Sequence, residues 1–402
     1  MRSLLLAASL SSIIVLLADG CAFNDDNQPE LLWQTDHPIF YAFSTNFSLK
    51  YRTEVTEILD LLQTKTCLSF EDITGEDLEE HDDTILYFLN STECSSEVGK
   101  NASFKLQELN IADYCYGRGI IAHEILHSLG LDHTHSRHDR DEHIAIVDRE
   151  TAENYEYEKM TEEENKNFEV LYDFHSLMHY PADLKEGKPN ILAKDELYQH
   201  AMGSNNRLPA HSDLLLINRL YKCQDKCAHA QTACGNGGFV NSRNCKTCIC
   251  PRGFGGSYCS KGYNNHVATS DWTTLSGELR HYGSYADRVA DHWHLLTTSD
   301  ERIEIELLNV GPVSAACTSW RENGGAEVRL SNFEIGGYVF FCEDQLPRRI
   351  LKSAGNRAVV SLEAENSTQQ FELRFRSVKY GREDCAELNA LLYAVAGVNE
   401  CH

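Results

Sequence analysis

Apolar residues recur with different periods in different stretches of the chain, and the changes divide it. After Arg2, an apolar run over residues 4–17 is too short to span a bilayer but suits the centre of a secretory signal. A signal peptide is therefore expected over residues 1–22. Across residues 51–64, Val55, Ile58, Leu59 and Leu62 recur at helical spacing and predict an amphipathic helix. Residues 39–43 and 84–89 read as strands, and residues 120–129 as a further helix. Far downstream, residues 302–307 and 371–376 alternate strictly between apolar and charged, the period of half-buried antiparallel strands. With 327–330, 337–341 and 358–362 they predict a β-sandwich. The stretch between these regions has no apolar period. The expected organisation is a mixed α+β unit over 33–223, a small unit over 224–260, an all-β unit over 261–385 and a tail over 386–402.

The small unit has another source of order. Six cysteines run C-x6-C-x10-C-x2-C-x-C-x8-C from Cys227 to Cys259, in a segment too short to bury a core and expected to be held by disulfides. The chain has 15 cysteines, an odd number, and signal cleavage after Ala22 would remove Cys21 and leave the rest able to pair. Sequons at Asn46, Asn90, Asn101 and Asn366 suit passage through the secretory route. A secreted, extracellular protein without a membrane-anchoring helix is expected. A length of 402 residues exceeds what one core supports, and a net charge of −25 argues against nucleic acid or an anionic membrane as partner.

The chemistry is concentrated in His123-Glu124-Ile125-Leu126-His127-Ser128-Leu129-Gly130-Leu131-Asp132-His133, which reads H-E-x-x-H-x-x-G-x-x-H. On a helix, His123 and His127 leave the same face and can share one metal ion. Gly130 lets the backbone turn out of the helix at little cost and return His133 as a third ligand. Three protein ligands leave a coordination position open, as in catalytic zinc sites. Glu124 lies beside the ligands without being one. Histidines 135, 138 and 143 are read as surface residues of a polar loop rather than a second metal site. Cys67, Cys94, Cys115 and Cys223 share the α+β unit, and their spacing leaves three pairings open.

Beyond His133, the run from Thr134 to Asp141 (T-H-S-R-H-D-R-D) is followed by Ser176-Leu177-Met178-His179-Tyr180, flanked by Tyr172-Asp173-Phe174 and by Asn218-Arg219-Leu220-Tyr221-Lys222-Cys223. With the histidine signature, these segments resemble the astacin family of zinc endopeptidases, which are metzincins. The resemblance implies one Zn²⁺ per chain held by His123, His127 and His133, with Glu124 as general base and acid. It makes Met178 the Met-turn residue beneath the zinc site and Tyr180 a mobile fifth ligand that helps stabilise the oxyanion. It also implies disulfides Cys67–Cys223 and Cys94–Cys115. One position departs from the family: Thr134 stands where a glutamate usually pairs with the buried amino terminus of the activated enzyme. Residues 23–32 are correspondingly expected to be a short, vestigial pro-segment, with the usual proenzyme latch lost.

Asn236-Gly237-Gly238 and the run from Cys250 to Cys259 look like an EGF-like module, which implies Cys227–Cys245, Cys234–Cys248 and Cys250–Cys259. Position in the chain, Trp293, Cys317 and Cys342 make the all-β unit resemble a CUB domain, with Cys317–Cys342 paired and Asp291 where another cysteine would stand. Cys385 and Cys401 remain for a terminal loop. The order of units resembles the multidomain astacins of nematodes. The expected function is a secreted zinc endopeptidase that uses a metal-activated water on extracellular protein substrates, with protein partners for the CUB-like unit. The alternative is an adhesive or matrix-binding protein on an inactive protease scaffold, and against it no ligand or Glu124 is lost.

Overall fold

The computed structural model describes residues 22–114, 117–182, 184–185, 188–203, 208–281, 289–312, 324–365 and 367–381. Residues 1–21 of the signal expected over 1–22, and Cys115, Cys317, Asn366, Cys385 and Cys401, lie outside them. Cys94 and Cys342 are both disulfide-bonded.

The first unit opens with β1 (Ile39–Phe43), α1 (Leu49–Lys65), β2 (Phe70–Asp72), β3 (Ile85–Ser91), β4 (Ser95–Ser96), β5 (Leu106–Ala112) and α2 (Arg118–Ser128). The strands form one sheet in the order β2-β1-β3-β5-β4, parallel except for the edge strand β4. Helical spacing puts Tyr51, Val55, Ile58, Leu59 and Leu62 on one buried face of α1. They share a core with Leu86, Phe88, Leu109 and Ile111 of the sheet and with Ile121, Ala122, Ile125 and Leu126 of α2. Burial holds α2 in place from one side and leaves its histidines on the other.

The segment 23–32, expected as a pro-segment, is anchored to this core at its two ends. Phe23 and the preceding Ala22, the last residue of the expected signal, are buried in it, and Leu31 and Leu32 pack against it. The Phe23 N–H donates to Gly130 O at 3.2 Å. Asp25, almost fully buried, is paired with Lys166 at 2.9 Å and Lys222 at 3.1 Å, and the exposed Asp26 with Lys166 at 2.7 Å. Burial alone would raise the Asp25 carboxyl, but the two ammonium groups hold it below its ordinary value.

The second half of this unit has little regular structure: β6 (Ile144–Ile146), α3 (Arg149–Ala152), β7 (Leu184–Lys185), β8 (Lys188–Pro189), β9 (Ile191–Ala193) and α4 (His211–Leu220). Cys67 is bonded to Cys223 just beyond α4, which ties the end of the unit to the end of α1. Cross-linking so long a loop removes much freedom from the unfolded chain.

The small unit carries β10 (Phe239–Val240), β11 (Cys248–Ile249), β12 (Phe254–Gly255) and β13 (Lys261–Gly262) in two antiparallel pairs. Its disulfides join Cys227 to Cys245, Cys234 to Cys248 and Cys250 to Cys259. The last unit is all-β. Its strands are β14 (Asn265–Val267), β15 (Thr273–His281), β16 (Val289–Leu296), β17 (Glu301–Pro312), β18 (Gly324–Arg329), β19 (Tyr338–Phe340), β20 (Leu351–Lys352), β21 (Arg357–Ala364) and β22 (Ser367–Lys379). They form two sheets, β14-β16-β21-β18-β19 and β15-β22-β17-β20. Alternation turns Ile303, Ile305, Leu307, Phe371, Leu373 and Phe375 inward onto Trp293, Val328, Val360 and Leu362. Among the described residues no helix is long and apolar enough to cross a membrane.

A third core joins the first and last units. Ile144, Tyr157, Tyr172, Phe174, Ile191, Ala201 and Met202 pack with Val339 of β19, and Phe341 lies against them.

Candidate metal centre

Helix α2 delivers His123 and His127 on one face and ends at Ser128. Gly130 then takes φ +96°, and a Cβ there would overlap the Phe23 ring. The Trp33 indole N–H donates to Ser128 O at 2.7 Å and closes the helix end from the same side. The turn brings the Nε2 of His133 to 3.2 Å from the Nε2 atoms of both His123 and His127. A tetrahedral zinc with bonds of about 2.0–2.1 Å needs nitrogens roughly 3.3–3.4 Å apart, so the tripod has the right opening.

The protons are arranged for ligation as well. His123 Nδ1 meets Leu177 O at 3.0 Å and His127 Nδ1 meets Leu131 O at 2.8 Å. A carbonyl can only accept, so both Nδ1 atoms carry the proton and both Nε2 lone pairs face the centre. Burial holds all three imidazoles below their ordinary pKa, His127 and His133 well below it, so they are neutral. Three convergent lone pairs suit a cation. Among the described residues, these histidines form the group whose ligand atoms all lie within 4.8 Å of one another.

Glu124 is buried beside the tripod, and burial pushes its carboxyl up to about 8. A dication in the centre would draw it down again. The Tyr180 ring lies over His133 and His135, with centroids 4.4 Å and 4.3 Å away. Burial raises the pKa of its hydroxyl, which therefore stays protonated as a donor.

His135 corrects an expectation. It is fully buried rather than at the surface, stacks on Tyr180 at 27° and donates from Nε2 to Glu156 O at 2.9 Å. The loop after His133 folds inward because Arg137 is buried, gripping Asp139 at 2.7 Å and donating to Val170 O. His143 stacks on Tyr172 at 4.4 Å, and His138 bonds Asn165 at 2.8 Å, so neither joins a metal group.

Met178 is buried, and its carbonyl accepts from the N–H of Thr134, the residue after His133, at 3.0 Å. Ser176 is the hub of this turn. Its hydroxyl accepts from Thr134 Oγ1 at 2.8 Å and from Met178 N–H at 3.1 Å, and donates to Asp213 at 2.6 Å. Asp213 also takes the N–H groups of Leu177 and Ala210, at 2.9 Å and 2.8 Å. A hydroxyl pair thus links the third ligand's neighbour to a buried carboxylate on α4. Sequence reading missed Asp213, although a carboxylate in the first turn of a helix is a capping signal.

The model of the astacin peptidase family matches residues 25–222. Residues 25–222 are an astacin domain. Zinc metalloproteinase nas-27 of Caenorhabditis elegans is 29% identical over 374 residues, 85% of this chain and 84% of that protein. Zinc metalloproteinase nas-36 of Brugia malayi is 32% identical over 357 residues, 84% of this chain and 58% of that protein. Among solved structures, High choriolytic enzyme 1, a hatching enzyme zinc-protease from Oryzias latipes, is 26% identical; it covers 50% of this chain and 94% of its own, at a TM-score of 0.40. The astacin family uses one zinc ion, which the tripod fits, and the class of activity is that of a zinc-dependent peptidase. The astacin domain is followed by a disulfide-rich segment and an all-β region.

Proposed function

We propose that the chain is a secreted endopeptidase of extracellular proteins, with Glu124 as general base and acid and Tyr180 as donor to the oxyanion. The observation that carries this reading is the convergent tripod of His123, His127 and His133 with the buried Glu124 beside it. A zinc ion bound there supplies a water acidified toward a pKa of about 7 and a positive charge against the scissile carbonyl. Glu124 takes a proton from the attacking water and returns it to the departing amine. The Tyr180 hydroxyl donates to the oxygen on which negative charge develops. Residues 23–32 stay with the mature enzyme in this reading, because Phe23 fills the turn at Gly130.

Residues 224–260 are read as an EGF-like module and 261–385 as a CUB-like domain that meets protein partners. The three disulfides of the small unit support the first and the two-sheet architecture the second. Pairing of Cys94 with Cys115, Cys317 with Cys342 and Cys385 with Cys401 belongs to the same proposal, as do glycans at Asn46, Asn90, Asn101 and Asn366.

Cleavage of a peptide library by purified protein, with and without a zinc chelator, tests the proposal. Cleavage that survives complete zinc removal would overturn it. Tyr180→Phe is expected to lower kcat by about 10- to 1,000-fold with a smaller change in KM, as for other oxyanion donors. An unchanged kcat would remove Tyr180 from the reaction.

A further inference from the structure

The last unit reaches the Met-turn by two routes. The first is polar. The backbone N–H of Gly336 donates to Asp173 Oδ1 at 3.1 Å, and His175 Nε2 donates to Gly337 O at 2.9 Å. Both protease residues are buried and lie just before Ser176, whose N–H donates to Asp173 O. Asp173 also takes the His175 N–H at 2.8 Å and the Ser212 hydroxyl at 2.6 Å, so it fixes the start of the turn. Gly336 sits so close that a Cβ there would overlap the His175 ring. Behind it, Gly337 N–H donates to Glu327, which Arg252 of the small unit holds at 2.5 Å.

The second route is aromatic. Tyr338 packs on Tyr198 at 4.6 Å, Tyr198 stacks on Phe174 at 4.5 Å, and Phe174 stacks on His179 at 5.8 Å. The Tyr338 hydroxyl donates to Asp195 at 2.8 Å and fixes the outer end of this stack. At the inner end His179 is pinned between the Tyr172 hydroxyl, at 2.8 Å, and the carbonyl of Tyr180, at 2.7 Å. Both routes therefore end on residues 176–180.

We propose that the loop Gly336-Gly337-Tyr338 of the all-β unit is a positioning element of the catalytic centre, which sets Tyr180 by holding both ends of the turn that carries it. Asp173, His175 and His179 are positioning residues of the protease side. The inference rests on the role assigned to Tyr180 above, and the variants keep the two separable. Packed cores move between discrete arrangements rather than deforming smoothly, so a displacement of the loop is passed on instead of being absorbed.

The test uses the full chain and four variants: Tyr180→Phe, Gly336→Ala, their combination, and Tyr338→Phe. Gly336→Ala and Tyr338→Phe are each expected to lower kcat by about 2- to 30-fold, the span of couplings carried through packed networks, with KM within about twofold and zinc near one per chain. In the Tyr180→Phe background, Gly336→Ala should add nothing further to the loss in kcat. A folded Gly336→Ala protein with full kcat overturns the proposal. So does a loss that repeats undiminished without the tyrosine hydroxyl, or one that follows loss of zinc. Should Gly336→Ala fail to fold, Tyr338→Phe decides by the same criteria, since it removes a single hydroxyl. Full kcat in Tyr180→Phe alone sinks the tyrosine's role itself, and is seen before the loop variants are compared.

Discussion

Glu124→Ala leaves zinc content near one per chain and lowers peptide cleavage by about 10²- to 10⁴-fold or more, the range that positioned proton transfer contributes. The metal-binding group is formed by the three histidines without Glu124, so its loss does not open the tripod. The ligands are also fixed independently of it, through Leu177 O on His123 and Leu131 O on His127. Metal content by elemental analysis and kcat on the same preparation check the result together. Equal loss of both would show that Glu124 supports ligation rather than proton transfer. His127→Ala is the contrasting control, since two imidazoles hold the ion weakly and both quantities should fall.

Phe23→Ala destabilises the astacin domain by about 3–5 kcal/mol, the usual cost of emptying the space of a buried phenylalanine. Phe23 is 2% exposed, and its ring is the surface on which the glycines at 99 and 130 close. Denaturant unfolding of the full chain measures the shift. Because the vacated space adjoins the turn between His127 and His133, zinc affinity should fall as well. A stability change below about 1 kcal/mol, the low end of measured core truncations, would mean that the segment merely lies on the surface of the core. The same variant bears on the segment's fate: a pro-segment removed in the mature enzyme could not be required for its stability.

The parts of the fold governed by a regular period were legible in the sequence. The helical repeat expected over residues 51–64 is α1 (Leu49–Lys65), and the strict alternations lie within β17 and β22. The alternation in β17 ends at residue 307 because the register shifts between Leu307 and Asn309 and leaves Leu308 exposed. A bulge of that kind breaks the period by which a strand is recognised. The histidine signature was legible because helix geometry and one glycine dictate where its side chains go. The role of His135 was not. It is surrounded in sequence by polar residues, and its burial depends on Glu156 and Tyr180 arriving from elsewhere. Phe23 was missed for the same reason, since a ring that acts across a long sequence separation leaves no local pattern, and the local capping signal of Asp213 says nothing of its bonds to Ser176 and Leu177.

Val339 lies in a core shared with the protease, which limits how such chains can exchange parts. A boundary drawn at Cys223 separates sequence patterns, but the packing continues across it to Phe341. Shuffling the C-terminal half between relatives would carry along whatever residues the donor has at 336–341, and these must match Asp173, His175, Phe174 and Tyr198 in the recipient. The halves of this protein are thus expected to diverge as a matched pair, and a chimera that keeps its own residues at those few positions should tolerate a foreign sandwich better than one that does not.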